Sequence, residues 1–318
     1  MTDHQLGLCW GCLPGIGMME LAEAAADAGF SFITLTAGHY LDEIAAGRTD
    51  DQIRSDLGAA GVRVKVIDPL IGVLPGTPRI SEVDPAMRRF FSYSEADCIR
   101  AATATGAETI NLAHFLGVSV PMSELQDAVG GIAARNRAAG FETTLEFIPG
   151  TGVPDIATAR AIINGIPSAG IMFDSWHFAR SDGEIGDLDA LPTGSIGGVQ
   201  ISDRIAPPAD APYVPMSGRL CPGEGELPLV EMLGSIGRNS PGVPVGLEVF
   251  SDELAALGPK AAARRLAETG LAVLGRTEAA QGQVSGILSR RHRASLPGPG
   301  QIGLAVVPAW PYPSPHGR

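Results

Sequence analysis

Short apolar segments alternate with helical patterns eight times before residue 276, and this alternation constrains the fold more than any other feature. Each apolar segment is short enough to be a buried strand, and each is followed by apolar residues at helical spacing. Such alternation predicts parallel strands joined by right-handed helical crossovers. The predicted strands are 6–10, 30–36, 62–67, 108–112, 142–147, 169–173, 194–201 and 243–249.

Eight units of this kind favour a closed (β/α)8 TIM barrel over an open doubly wound sheet. We therefore predict an α/β TIM-barrel domain over residues 1–277. The first turn, GCLPGIG, lacks the GxGxxG spacing of a dinucleotide site. Beyond Arg276 the chain is dominated by Gly, Pro, Ser and Arg, which predicts a flexible C-terminal tail over 278–318.

Composition narrows the class of protein. The net charge of -12 disfavours nucleic acid as a partner, because phosphate binding needs a basic face. The chain contains neither a long apolar run nor the features of a signal peptide, so we expect a cytoplasmic protein without membrane partners. Four cysteines do not make a disulfide framework. Cys9 and Cys12 resemble a redox pair, but packing at a strand end is the favoured interpretation.

Polar side chains end each of the last four predicted strands: Glu146, Asp174, Gln200 and Glu248. In a barrel these strand ends meet at the mouth, where barrel enzymes carry their chemistry. Three carboxylates in one place repel each other unless a cation binds them or some stay protonated. A single acid there is weak support, but four polar groups on consecutive strands predict a metal site. An oxygen-only set suits one divalent ion, Mn2+ or Mg2+.

The motifs around these residues are TLEFIPGTGVPD, MFDSWHFAR, VQISD, RLCPGEGELPL and LEVFSDEL. In this order and spacing they resemble the xylose isomerase-like TIM-barrel family of sugar and sugar phosphate isomerases and epimerases, over about residues 6–275. The resemblance implies that Glu146, Asp174, residue 200 and Glu248 bind the metal. It also implies that Glu146 and Glu248 are the acid/base pair. The third ligand is commonly histidine in the family, whereas this chain has Gln200.

The resemblance also implies that His177 and Arg219 contact the substrate. For His177 the alternative is a hydrogen bond to Asp174. For Arg219 the alternative is a loop ion pair with Glu224 or Glu226.

The sequence leaves two alternative roles for each of four further side chains. Trp10, His39 and His114 are candidates for substrate binding, with packing in the barrel wall as the alternative. Lys65 on the third strand either faces the lumen or forms an ion pair.

The leading functional hypothesis is a divalent-metal-dependent isomerase or epimerase of a sugar or polyol-type ketone, acting through an enediolate. The alternative is a metal-dependent lyase resembling 3-dehydroshikimate or inosose dehydratases. A non-catalytic metabolite-binding barrel is a hypothesis of another class. A nuclease like endonuclease IV is disfavoured, since that type holds several metals with many histidines. A homo-oligomer is compatible with the sequence.

Overall fold

The computed structural model describes residues 6–206 and 216–294, with 283–294 as backbone only. The strands are β1 (Leu6–Leu8), β2 (Phe32–Leu35), β3 (Arg63–Leu70), β4 (Thr109–Ala113), β5 (Glu142–Glu146), β6 (Ala169–Asp174), β7 (Ile196–Ile201) and β8 (Val245–Leu247). All adjacent strands pair in parallel, and β8 pairs with β1 to close the barrel. The predicted TIM barrel is confirmed.

Helices follow the strands and form the outer layer of the barrel. They are α1 (Met18–Asp27), α2 (Ala37–Ala45), α3 (Asp50–Ala60), α4 (Arg88–Phe91), α5 (Glu95–Thr105), α6 (Met122–Ala138), α7 (Ile156–Ile163), α8 (Ser175–Arg180), α9 (Ile185–Asp189), α10 (Leu229–Asn239), α11 (Asp252–Ala256) and α12 (Pro259–Ala294). Short 3-10 turns occupy Trp10–Cys12 and Ile80–Glu82. Within the described ranges, no helix is both long and apolar enough to cross a membrane.

Local capping sets several boundaries of these helices. The Thr49 hydroxyl accepts from the backbone N–H of Gln52, and Gly61 ends α3 with a φ of 76°, as its sequence predicts. A single helix was predicted from about residue 84 to 105. The structure instead has α4 and α5, because Ser94 caps α5 in a reciprocal capping box with Asp97.

The C-terminal region differs from its predicted helix boundary. One helix was expected from Asp252 to about Gly275, whereas α12 continues to Ala294. Residues 276–294 contain no proline and include four Arg, three Ala and two Gln, which are favourable in helices, so no proline stops the helix there. The chain divides into two compact units, Met1–Glu278 with the barrel and Ala279–Arg318. Residues 295–318, most of the predicted tail, lie outside the described residues.

The strand registers bring the predicted site residues to one rim. Glu146 is the last residue of β5, and its register partner on β4 is Ala113. Asp174, the last residue of β6, is the direct partner of Gln200 on β7, which in turn pairs with Gly246 on β8. Because Glu248 follows β8 immediately, the last four strands present their polar side chains side by side.

The main apolar core fills the space between the barrel and the helices, with Leu8, Ile33, Ile110 and Leu247 fully buried. Of the two alternatives for Lys65 on β3, the structure shows the ion pair, in which its ammonium group contacts Glu108. A second, smaller apolar cluster lies at the rim around Ile71, Ala113 and Ile148. The rim is therefore apolar around a polar centre.

Candidate active site at the mouth of the barrel

Glu146, Asp174 and His177 are buried together at the ends of β5 and β6. One ligand atom from each lies within 4.8 Å of the others, so these three side chains could hold a metal ion. Asp174 Oδ1 caps α8 by accepting from the backbone N–H groups of Trp176 and His177, at 2.7 and 2.8 Å. This cap turns the helix so that His177 Nε2 lies 3.4 Å from Glu146 Oε1. The DSWH sequence therefore places the imidazole beside the glutamate.

Arg219 joins the site from the loop after β7. Its Nη1 lies 2.6 Å from Asp174 Oδ2 and 3.3 Å from Glu248 Oε2. The guanidinium also lies over the rings of Trp176 and Phe250, 5.2 and 5.4 Å from their centroids. The alternative of a loop ion pair does not occur, because Arg219 is buried against the two strand-end carboxylates.

The ion pair changes the protonation of its members. Burial alone would raise the pKa of Asp174, but Arg219 and the neighbouring donors lower it to about 2. Burial likewise opposes the charge on Arg219, yet the pKa of Arg219 is raised because of the Asp174 and Glu248 carboxylates. Asp174 and Arg219 are thus a permanent buried ion pair.

The pKa of Glu248 is shifted in the opposite direction from that of Asp174. Burial raises the pKa of Glu248 well above its usual range; Arg219 lowers it, and the carboxylates of Glu146, Asp174 and Asp68 raise it further. Like charges close together cannot all ionise. This raised pKa favours the protonated form of Glu248 over a wider pH range than for an exposed glutamate.

A chain of hydrogen bonds connects the two candidate acid/base glutamates, and we call it the carboxylate–amide chain. Asn111 Nδ2 donates to Glu146 Oε2 at 3.0 Å and to Asp68 Oδ1 at 2.7 Å. Gln200 Nε2 donates to Asp68 Oδ2 at 2.9 Å and to Glu248 Oε1 at 3.1 Å. Asp68 therefore lies at the centre, with an amide and then a glutamate on either side.

The amide groups of this chain have a defined orientation. Thr144 donates its hydroxyl to Asn111 Oδ1 at 2.8 Å, which leaves the Asn111 NH2 group facing the carboxylates. Gln200 likewise turns its NH2 group to two carboxylates, since only a donor satisfies both. Gln200 Oε1 is buried without a hydrogen-bond partner among the described residues.

Asp68 was not singled out from the sequence. The third strand was predicted to end at Ile67, so Asp68 counted as the first loop residue, whereas β3 continues to Leu70. The rule applied to the other strands, that an acid at a strand end deserves inspection, would have found it. Asn111 was placed correctly near the end of strand four but had no predicted role.

The donor set differs from the predicted four-oxygen shell. His177 joins Glu146 and Asp174 as a candidate ligand, and Glu248 instead pairs with Arg219 and Gln200. Two carboxylates and an imidazole fit a divalent cation, and the unpartnered Gln200 oxygen is compatible with a fourth ligand. Such a mixed set suits zinc or manganese better than magnesium.

A cavity of about 570 Å3, counted with its open mouth, lies directly above these groups. Its base is formed by Asp68, Glu146, His177, Arg219 and Glu248. The two candidate acid/base glutamates, His177 and Arg219 therefore line one pocket, and Asp174 contacts this group through Arg219.

Of the other predicted substrate contacts, Trp10 lines this cavity and His114 does not. His114 Nε2 lies 2.8 Å from the carbonyl oxygen of Pro75, and its ring packs against Gly117 and Gly152. His39 lies behind Trp10, 6.3 Å between ring centroids. The structure thus gives His114 and His39 positions in the wall.

The Cys9 and Cys12 thiols are buried and free. Burial raises the pKa of Cys12 to about 12, and its thiol donates to the backbone carbonyl of Leu247. Both residues thus have the packing positions at a strand end that the sequence favoured.

Comparison with known proteins agrees with the fold. The model of a protein family described as xylose isomerase-like TIM barrel matches residues 22–275. Among the curated proteins compared with the chain, none matches it. Many solved structures are similar, and the chain spans 45% of one of them, a xylose isomerase-like TIM barrel/4-hydroxyphenylpyruvate dioxygenase fusion protein, at 17% identity.

Three other similar structures are covered by this chain over nearly their whole length. The IOLI protein with a binding zinc atom has a TM-score of 0.72 and 17% identity, over 86% of this chain and 99% of that one. The D-psicose 3-epimerase has a TM-score of 0.60 and 16% identity, over 85% and 97%. The probable 3-DHS dehydratase from Bacillus anthracis has a TM-score of 0.62 and 14% identity, over 83% and 97%. At these identities the likeness concerns the fold.

Proposed function

Since the chain belongs to the xylose isomerase-like TIM-barrel family, we propose that it is a divalent-metal-dependent isomerase or epimerase of a sugar or polyol-type ketone. The reaction would remove a proton from the hydroxyl-bearing carbon next to the carbonyl. Return of a proton to the other carbon of the enediolate gives the isomer, and return to the opposite face of the same carbon gives the epimer. The observation that carries the proposal is the meeting of Glu248 with Glu146 and His177, two of the three candidate metal ligands, at the base of one cavity.

The donors for the cation are Glu146, Asp174 and His177, with Gln200 Oε1 as a further candidate. When bound, a divalent cation would polarise the carbonyl and favour the negative charge that develops on its oxygen. Arg219 supplies a second, fixed positive charge at the same place.

The two glutamates have different environments, and this suggests their roles. Burial and the neighbouring carboxylates raise the pKa of Glu248, which favours its protonated form. It is therefore suited to give a proton to the substrate, whereas Glu146 accepts one from carbon. Glu146 is oriented for this task by Asn111 on one oxygen and His177 beside the other.

A lyase reaction is the second candidate. The observation that favours it is the burial of Glu248 among other carboxyl groups, which raises its pKa and favours its protonated form. The same enediolate, formed beside a hydroxyl group, loses water when an acid protonates that hydroxyl. Isomerisation leaves the elemental composition of the substrate unchanged, whereas elimination removes one water. Mass spectrometry of the product therefore separates the two reactions.

The test is proton exchange in deuterated water with manganese- or zinc-loaded protein and a panel of short ketoses. We expect deuterium at the carbon next to the carbonyl, and loss of at least about 100-fold in exchange rate for Glu146→Gln, the magnitude typical of a general base. Glu142→Gln is the matched control, because Glu142 is exposed at the opposite end of the same strand. Exchange that is equally fast in wild type and Glu146→Gln would refute the proposal.

A further inference from the structure

The walls of the cavity above the reacting groups are apolar. Ten of the fifteen lining residues are apolar, and they come from most of the loops at the rim. They include Trp10 after β1, Met87 and Phe90 before α5, Phe115 after β4, Ile148 after β5 and Phe250 after β8. The apolar lining is thus a property of the whole mouth.

Three of these aromatic rings form one continuous wall. The centroid of Trp10 lies 5.4 Å from that of Phe90 and 6.1 Å from that of Phe250. Phe90 also packs against the rim cluster, as do Met87 and Phe115, so the aromatic wall continues into that cluster. All three wall aromatics are only partly buried, so they present apolar surface to whatever fills the cavity.

The charged lining groups that the structure describes lie at the base and largely pair with one another, although Arg219 Nε has no hydrogen-bond partner among the described residues. Arg219 pairs with Asp174 and Glu248, and Asp68 accepts from two amides. On the described walls, the buried polar atom without a partner is Trp10 Nε1. The walls therefore offer a single donor, which one oxygen atom of a ligand would satisfy.

This distribution disfavours a substrate with a hydroxylated tail. Every hydroxyl group carried into the upper cavity would lose water and find an apolar wall in its place. A phosphate group is disfavoured further, because the base already holds four carboxyl groups against Arg219 and His177. An apolar ring, in contrast, packs against Trp10, Phe90 and Phe250.

Resting on the proposed function, we infer that the substrate is an uncharged α-hydroxy ketone whose unreactive end is an apolar, ring-sized group. The hydroxy ketone contacts Glu146, Glu248 and the candidate metal ligands. The ring packs against the aromatic wall and the rim cluster into which that wall continues. This narrows the class from polyols and sugar phosphates to ketones with a short polar head.

Two ketones with the same reacting end test the inference. Benzyl hydroxymethyl ketone carries an apolar ring, and erythrulose carries hydroxyl groups in its place. Dissociation constants are measured by calorimetry on the metal-loaded Glu248→Gln protein, which keeps the three candidate metal ligands and lacks the proton donor needed for complete turnover. We expect benzyl hydroxymethyl ketone to bind at least tenfold more tightly; equal or tighter binding of erythrulose would overturn the inference.

Substitutions in the cavity wall test whether the tighter binding of the benzyl ketone depends on this cavity. Met87→Gln changes polarity at nearly constant volume, and Phe90→Ser removes a ring; each should reduce the preference at least threefold. Leu271→Ser is the control, since Leu271 is 44% exposed on α12 and does not line the cavity. A preference unchanged by both wall variants would also overturn the inference.

Exchange in deuterated water with the wild-type protein separates the two proposals. Tight binding of the benzyl ketone with exchange at its hydroxymethyl carbon supports both. Tight binding without exchange of either ketone leaves the apolar specificity standing and refutes the enolisation. If erythrulose exchanges its proton and the benzyl ketone binds more weakly than erythrulose, enolisation is supported and the apolar specificity is refuted.

Discussion

Substituting Asp68 by Asn tests whether the carboxylate–amide chain depends on its central charge. The side chains are nearly equal in volume, so the change leaves packing intact. One oxygen of Asp68 becomes an NH2 group, which then faces the NH2 group of Asn111 or Gln200. The variant must lose one hydrogen bond of the chain and release one of the two glutamates.

The effect on stability follows from the pKa of Asp68. Burial, and secondly the charge of Glu146, raise it from 3.8 to about 7. Between these values the folded protein holds a proton that the unfolded chain has lost, so the free energy of unfolding of wild type falls as pH rises through this window. At about 1.36 kcal/mol for each pKa unit, the span is at most about 4 kcal/mol. Above pH 7 the penalty is constant.

The amide introduced by Asp68→Asn cannot ionise, so the variant lacks this penalty. The free energy of unfolding of Asp68→Asn minus that of wild type should therefore rise by up to about 4 kcal/mol between pH 4 and pH 8. Taking the difference cancels the other titrating groups. The hydrogen bond that the variant loses lowers its stability by about 0.5–1.5 kcal/mol at every pH. This offset does not change the rise, because the hydrogen bonds to ionised Asp68 already contribute to its pKa.

Urea titrations at half-unit pH intervals, with a chelator present, measure this difference. Asp51→Asn is the control, because the Asp51 side chain is 94% exposed and should show no comparable rise. Deuterium exchange at pH 8 should fall at least tenfold in Asp68→Asn, through kcat rather than KM. A stability difference that stays flat from pH 4 to 8, or unchanged exchange, would refute the reasoning.

Three further perturbations probe other parts of the molecule. Arg219→Met should lower the free energy of unfolding by about 3–5 kcal/mol, because two buried carboxyl groups lose their cation; a urea midpoint equal to wild type would contradict the ion pair. Gln200→His should slow deuterium exchange about tenfold even where calorimetry shows unchanged metal affinity, since one imidazole nitrogen cannot donate to two carboxylates; faster exchange would make Gln200 chiefly a ligand. Gly170→Ala should cost about 1–3 kcal/mol by calorimetry, because its Cβ would lie 3.0 Å from the Gly197 backbone; Gly186→Ala, with nothing within 4 Å, is the control.

The fold and the location of the site could be predicted because each depends on local patterns. Apolar periodicity defines strands and helices one at a time, and parallel strands must bring their carboxyl ends to one rim. Glu146, Asp174 and Glu248 were therefore found by their place at strand ends. The cap that Asp174 provides for α8 is also local, and it carries His177 to the site.

The interactions between loops could not be predicted in the same way. The partners of Arg219 depend on the path of the loop after β7, and loop paths leave no periodic signal. The orientation of Gln200 depends on Asp68 and Glu248, which are far from it in sequence. Asp68 was missed because the predicted third strand ends at Ile67, three residues before the end of β3. The partners of a side chain at the site thus depend on the tertiary structure and not on the local sequence.

The ion pair of Arg219 has a consequence for how the protein matures. In small domains held together by a structural metal, the ligands repel one another until the ion arrives, and folding waits for the ion. Here Arg219, a residue of the chain itself, already supplies a positive charge to Asp174 and Glu248, and burial also favours the protonated form of Glu248. The barrel can therefore complete its folding during synthesis and acquire a cation afterwards, from whatever supply it meets.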